Sequence, residues 1–172
     1  MGSMKAMKRK IFLEDGHCHF VTFSCFERRK LLTEPEAKQI ILNALSRLVS
    51  DKGVYVVGFV VMNDHVHAIL GYTNAHLHPI TMQEWKRWSS YFLRKYFATQ
   101  EYPYLKQLSK IWQRKYYDFN LYSLNKVQEK LDYMHQNPVK SGLVKHAEED
   151  PWSSFCYYQY GKSVGVHVTP LW

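Results

Sequence analysis

The stretch VYVVGFVVMNDHVHAILGY (Val54–Tyr72) decides the fold. Val54–Met62 is apolar on both faces, as expected of a central strand covered on both sides. Asn63-Asp64 then makes a tight turn. From His65 to Tyr72 the residues alternate, so His65, His67 and Ile69 share one face while Val66, Ala68 and Leu70 share the other. The unit is a β-hairpin with two histidines at the start of its second strand. Upstream, Glu34–Ser50 carries Ala37, Ile40, Ile41, Ala44, Leu45 and Leu48 at 3.6-residue spacing, opened by Thr33 and Pro35 as cap and first-turn residues, which predicts a helix. Before it, HCHFVTFSCF (His17–Phe26) reads as a strand. Downstream, Asn74–Pro79 is a loop, Thr81–Ala98 a second helix and Ile111–Tyr122 a fourth strand. Ser123 caps a third helix with the stripe Leu124, Val127, Leu131 and Met134, ended by Pro138 near Asn137. The order βαββαβ plus a C-terminal helix predicts an α+β fold, a ferredoxin-like antiparallel sheet with helices packed on one face. Beyond Pro151 only aromatic fragments occur and no element is predicted.

Composition narrows the function. The chain has 172 residues, with 23 Lys+Arg against 15 Asp+Glu, a formal net charge of +8 and 16% aromatics. That length fits one domain, and a hydrophobic fraction of 46% excludes intrinsic disorder. No apolar run approaches the roughly 20 residues of a membrane helix, and Met1–Lys10 is basic without an apolar segment behind it. Cys18, Cys25 and Cys156 are an odd number without C-x-x-C spacing, which favours a reducing cytoplasm over a disulfide framework. Met1-Gly2-Ser3-Met4 reads as an expression scar. The expected organisation is a scar and basic arm at 1–10, a single domain at 11–156 and a C-terminal tail at 157–172.

Two features carry chemistry. His65-Val66-His67 places both imidazoles on one strand face, able to chelate one cation. Taken alone, the pair reads more plainly as two histidines hydrogen-bonded beside a hairpin turn. In Tyr133-Met134-His135-Gln136-Asn137-Pro138, Tyr133 and Asn137 stand i and i+4 on a helix face that also holds Lys126 and Lys130. Together the features suggest a tyrosine hydroxyl attacking a phosphodiester beside a divalent ion. A phenol, with a pKa of about 10, needs a cation to stabilise the developing phenolate and transition-state charge. Arg87 and Arg94, seven apart on the second helix, and the surplus aromatics suit a phosphate backbone and unpaired bases. Other polar residues read blandly: His17 and His19 as an exposed strand-start pair, Asp118 as a loop hydrogen-bond former, and His135 as pointing away from Tyr133.

At these residues the chain resembles the HUH single-tyrosine transposases, in particular the REP-associated tyrosine transposases, relatives of the insertion-sequence 200 type. The motifs are VVMNDHVHAIL (Val60–Leu70), QEWKRWSSYF (Gln83–Phe92), WQRKYYDFNL (Trp112–Leu121), KLDYMHQNPVKSGLV (Lys130–Val144) and PWSSF (Pro151–Phe155). The resemblance implies the HUH palm fold, with a C-terminal tyrosine-bearing helix. It makes His65 and His67 metal ligands, Asn137 the residue completing a Mg²⁺ or Mn²⁺ site where many mobile relatives have Gln, and Tyr133 the nucleophile that joins a 5′ phosphate. It matches Lys86 and Arg87 to a basic pair that touches DNA, with Arg94 alongside. The implied activity is metal-dependent nicking and strand transfer on single-stranded DNA carrying a REP-like hairpin, in a bacterial cytoplasm at the nucleoid. It leaves monomer against homodimer open, as well as cis against trans use of the tyrosine. The alternative is a catalytically silent hairpin-binding module derived from a transposase. A zinc hydrolase lacks both cysteine spacing and H-E-x-x-H.

Overall fold

A computed structural model describes residue 4 and residues 17–101, 105 and 107–172. The expected basic arm at 1–10 lies, apart from residue 4, outside the described residues. The elements are β1 (Cys18–Ser24), α1 (Pro35–Lys52), β2 (Tyr55–Val61), β3 (His65–Gly71), α2 (Leu77–Ala98), β4 (Tyr117–Asn120), α3 (Leu124–Lys140) and α4 (Phe155–Tyr160). The strands form one sheet in the order β2-β3-β1-β4. Every neighbouring pair is antiparallel. This is the expected α+β, ferredoxin-like arrangement, consistent with the HUH fold. Among the described residues no helix is long and apolar enough to cross a membrane.

The sheet separates two cores because its strands are apolar on both faces. On one side Val21, Phe23, Val66, Ala68 and Leu70 meet Ile41, Leu45 and Leu48 of α1 and Met82, Trp85 and Leu93 of α2. On the other, Phe20, Val57, Val60 and Ile69 meet Val127, Leu131 and Met134 of α3. Each fully buried apolar side chain contributes roughly 1.5–3 kcal/mol of transfer free energy, so α3 is anchored by a narrow stripe. Gly58 permits its approach: a Cβ there would collide with the Leu131 side chain and press on Met134 and Ser154.

Several boundaries differ from the sequence reading. Helix α1 begins at Pro35 after Glu34, and Thr33 donates to the Lys30 carbonyl instead of capping it. Helix α2 starts four residues earlier than expected, because Pro79 falls in its first turn, where a missing N–H costs nothing. Helix α3 keeps Pro138 inside it and runs on to Lys140, with the Asn137 side-chain nitrogen donating to the Tyr133 carbonyl in the affected turn. The fourth strand is far shorter than Ile111–Tyr122. Trp112 only bridges Cys25, and the Lys86 ammonium then draws the chain aside by donating to the carbonyls of Gln113 and Arg114.

The segment after Pro151 lies along the β2 edge. The Val61 N–H donates to the Trp152 carbonyl, Ser154 N–H to Phe59 and Thr169 N–H to Val56. Val166, Val168 and Leu171 are buried.

Candidate functional site

The turn between β2 and β3 is fixed from outside: the carbonyls of Asn63 and Asp64 accept from the backbone N–H groups of Leu32 and Cys25. From this turn His65 and His67 project onto the α3 face of the sheet. Strand register places Ser24 opposite His65 and Thr22 opposite His67. One Asp64 carboxylate oxygen accepts from His65 Nδ1 at 2.6 Å, and the other lies 3.0 Å from Arg28 Nε. Arg28 also donates to the Ser24 hydroxyl at 2.9 Å. The Thr22 hydroxyl meets His67 Nδ1 at 2.6 Å. Glu27 and Arg28 adopt left-handed backbone angles (φ 54° and 56°) that non-glycine residues rarely take, a strain concentrated where Arg28 reaches Asp64.

With each Nδ1 engaged, the two Nε2 atoms face one another at 3.1 Å. That spacing is close to the edge of a coordination polyhedron with metal–ligand bonds of about 2.1 Å. A carboxylate only accepts, so His65 carries its proton on Nδ1 and presents a lone pair from Nε2; the Thr22 hydroxyl can accept likewise from His67. Burial pushes the pKa of His67 down to about 3, helped by the neighbouring His65, Arg28 and Lys130, and burial also lowers that of His65. Both imidazoles are therefore neutral at neutral pH, the form that binds metal. The donor set fits a divalent cation, with the carboxylate and hydroxyl orienting its ligands from behind.

Tyr133, 44% exposed, stands over this pair. Its ring is edge-on to His67 with centroids 5.4 Å apart, and edge-on to Phe20 at 6.2 Å. The ammonium of Lys130 lies 5.8 Å and that of Lys140 5.9 Å from the Tyr133 ring centre. Asn137 lies one turn along, its nitrogen bonded back to the Tyr133 carbonyl, which leaves the amide oxygen as the atom it can offer. His135 points elsewhere, to the Ser154 hydroxyl at 2.8 Å.

The expected DNA-contacting residues do not gather here. Lys86, Arg87 and Arg94 all belong to α2, on the opposite side of the sheet. Lys86 is half-buried and occupied by two carbonyls, and Arg94 donates to the Ser109 carbonyl. Arg87 is free to reach outward, its side chain 65% exposed beside Glu84 and the Trp88 ring.

A second polar cluster lies on the α2 face of β1 and β4. Asp118 accepts from His19 Nδ1 at 2.8 Å on one oxygen and from His78 Nε2 at 3.1 Å on the other, while the Tyr72 hydroxyl meets His78 Nδ1. Burial opposes ionisation of Asp118, but the two imidazole bonds outweigh it and hold its carboxyl well below the usual carboxylate range. Although His19, His78 and Asp118 converge as a metal-ligating trio would, the two rings are stacked 3.9 Å apart and nearly parallel. Their lone pairs lie in separate planes, so one ion cannot meet both rings as they stand. His19 is thus a partnered residue of a central strand instead of an exposed one at an edge.

Thr22, Arg28 and Lys140 carry no local sequence signal as members of the site, whereas Asp64 does, as the neighbour of His65.

A family model described as "Transposase IS200 like" matches residues 13–137. The REP-associated tyrosine transposase of Escherichia coli (strain K12) is 24% identical over 147 residues, which cover 86% of this chain and 81% of that protein. Among solved structures, a REP-associated tyrosine transposase bound to a REP hairpin superposes with a TM-score of 0.66 at 21% identity, covering 90% of this chain and 87% of that one. A crystal structure of a putative transposase from Deinococcus radiodurans superposes with a TM-score of 0.52 at 20% identity, covering 69% and 88%. At these identities the superpositions speak for the fold.

Proposed function

The chain belongs to the family of IS200-like transposases, and from that premise we propose that it nicks and rejoins single-stranded DNA carrying an imperfect hairpin, through a 5′-phosphotyrosine at Tyr133. The observation that carries the reading is the convergence of Tyr133 on the facing Nε2 atoms of His65 and His67, from a helix and a strand more than sixty residues apart. In the step, Tyr133 Oη attacks a backbone phosphorus, the Oη–P bond forms and the P–O3′ bond breaks. The 3′ oxygen leaves as a hydroxyl and the phenol proton passes to solvent. Reversal by another 3′-hydroxyl rejoins strands without ATP, because the phosphotyrosine keeps the bond energy. Mg²⁺ or Mn²⁺, held by His65 and His67 with the Asn137 amide oxygen as third ligand, would neutralise charge on the phosphoryl oxygens. Lys130 and Lys140, both close to the Tyr133 ring, add fixed positive charge where phosphate charge develops.

The test is a covalent-adduct assay. Protein and its Tyr133→Phe variant are incubated with a labelled pool of hairpin-bearing single strands, with Mg²⁺, Mn²⁺ or EDTA, and run on a denaturing gel. A shifted band that requires both the metal and Tyr133 is expected. DNA retained on a native gel with no adduct under any condition would replace the enzyme with a hairpin-binding module.

A further inference from the structure

We propose that the outer end of the catalytic sheet face, where β4 carries Tyr117 and Phe119, is a stacking platform for unpaired bases of the DNA strand that passes Tyr133. The inference rests on the DNA-acting reading above. Among the described residues strand β4 is an edge strand, pairing with β1 alone. Its register with β1 sets Tyr117 opposite Thr22 and Phe119 opposite Phe20. Because Thr22 in turn faces His67, Tyr117, Thr22 and His67 form one row across the sheet, with Tyr117 two strand spacings, about 10 Å, from the histidine. Phe119, Phe20 and Ile69 form the next row. Helix α3 covers the inner members, but Tyr117 remains 53% and Phe119 39% exposed.

Large aromatics on an edge strand are ordinarily a liability, and soluble proteins keep such positions charged or polar. Here Phe119 lies beside a cation, and Tyr117 meets the Phe20 ring that the same cation faces. The Lys130 ammonium lies 5.2 Å from the Phe20 ring centre, 5.5 Å from Phe119 and 5.8 Å from Tyr133. The platform and the nucleophile therefore share one positive charge. Rings flanked by an ammonium suit a single strand: each base offers a π-face to a ring and each phosphate an anion to the lysine. A duplex, whose bases are already stacked, gains only the second term. A protein partner is disfavoured because the patch is continuous with Tyr133, and an occupant there would block the attacking hydroxyl.

The experiment measures binding of the whole chain in EDTA, so that cleavage does not intervene. The probes are a labelled dT12 strand and a twelve-unit abasic strand, which keeps the phosphates and lacks the bases. Wild type is expected to bind dT12 roughly tenfold or more tightly than the abasic strand. The Tyr117→Ala/Phe119→Ala variant is expected to bind both alike, at the abasic level, with an unchanged melting temperature because both side chains are exposed. The aromatic exchange Tyr117→Phe/Phe119→Tyr should restore the preference. If the alanine variant still prefers dT12 as wild type does, the platform is wrong while the DNA-acting reading stands. If wild type binds neither strand nor any hairpin, both fall. A dT12 preference without any Tyr133 adduct would uphold the platform and overturn the nuclease.

Discussion

Replacing Gly58 by alanine should loosen the whole tyrosine-bearing helix, and the structure sets the size of the effect. The added methyl would collide with the Leu131 side chain and lie 3.2 Å from both Met134 Cε and Ser154 Oγ. A leucine end can ordinarily swing aside, but Leu131 and Met134 are fully buried, so relief must come from moving α3 off the sheet. Overpacking of this kind costs about 1–3 kcal/mol. For a chain of this length that is a fall of roughly 2–10 °C in melting temperature. Leu131→Ala alone should cost about 2–5 kcal/mol through the void it leaves. In the double variant the methyl at 58 would occupy part of that void, so its cost should fall short of the sum of the singles by at least about 1 kcal/mol. Urea unfolding of the four proteins measures this directly. Strict additivity within about 0.5 kcal/mol would refute the claim that Gly58 is required by the approach of α3. Gly58→Ala should also slow adduct formation more than it weakens DNA binding, because Tyr133 sits two residues beyond Leu131.

Thr22→Val removes the hydroxyl behind His67 at nearly constant volume, and Mn²⁺ affinity, read by calorimetry, should drop about 10–100-fold. His135 is buried and its pKa is pushed down to about 4. The unfolded chain takes up its proton near pH 6.5 while the folded one does not, so stability is full above pH 6.5 and falls as pH drops towards 4, by up to about 1.4 kcal/mol per unit. A His135→Gln variant should show a shallower decline in urea unfolding across that window, and an unchanged slope would exclude the effect. Lys86→Met should lower the melting temperature by releasing the carbonyls of Gln113 and Arg114, yet leave the salt dependence of DNA binding as it was. Arg87→Ala should do the reverse, reducing the salt slope by about one.

What the sequence made legible was local and periodic. The Val54–Tyr72 hairpin, the shared face of His65 and His67 and the stripe Val127, Leu131 and Met134 follow from spacing of 2 or 3.6 residues, and the structure has them. The site's supporting groups depend on register between strands far apart in the chain. Thr22 faces His67 across 45 residues, and in the separate cluster on the other face Asp118 meets His19 across 99. No local pattern announces either. The surroundings of the basic helix face were illegible for a related reason: in sequence, a lysine at an exposed-looking helical position is indistinguishable from one that caps carbonyls 27 and 28 residues away, as Lys86 does. Pro138 reads as a stop, but a proline near a helix end only removes one bond, and the last turn closes around it.

The pairing of the late segment with β2 has a consequence for synthesis. The hairpin that carries both histidines is made early, but the free side of β2 is covered by residues 152–154 and by Val168–Thr169. A nascent chain therefore holds an apolar strand with an unsatisfied edge through the making of more than a hundred further residues, the interval in which such an edge most readily pairs with a neighbouring chain. Folding of the site is thus tied to the arrival of sequence that contributes nothing to its chemistry, and a break anywhere before residue 168 should surface as aggregation before it surfaces as lost activity.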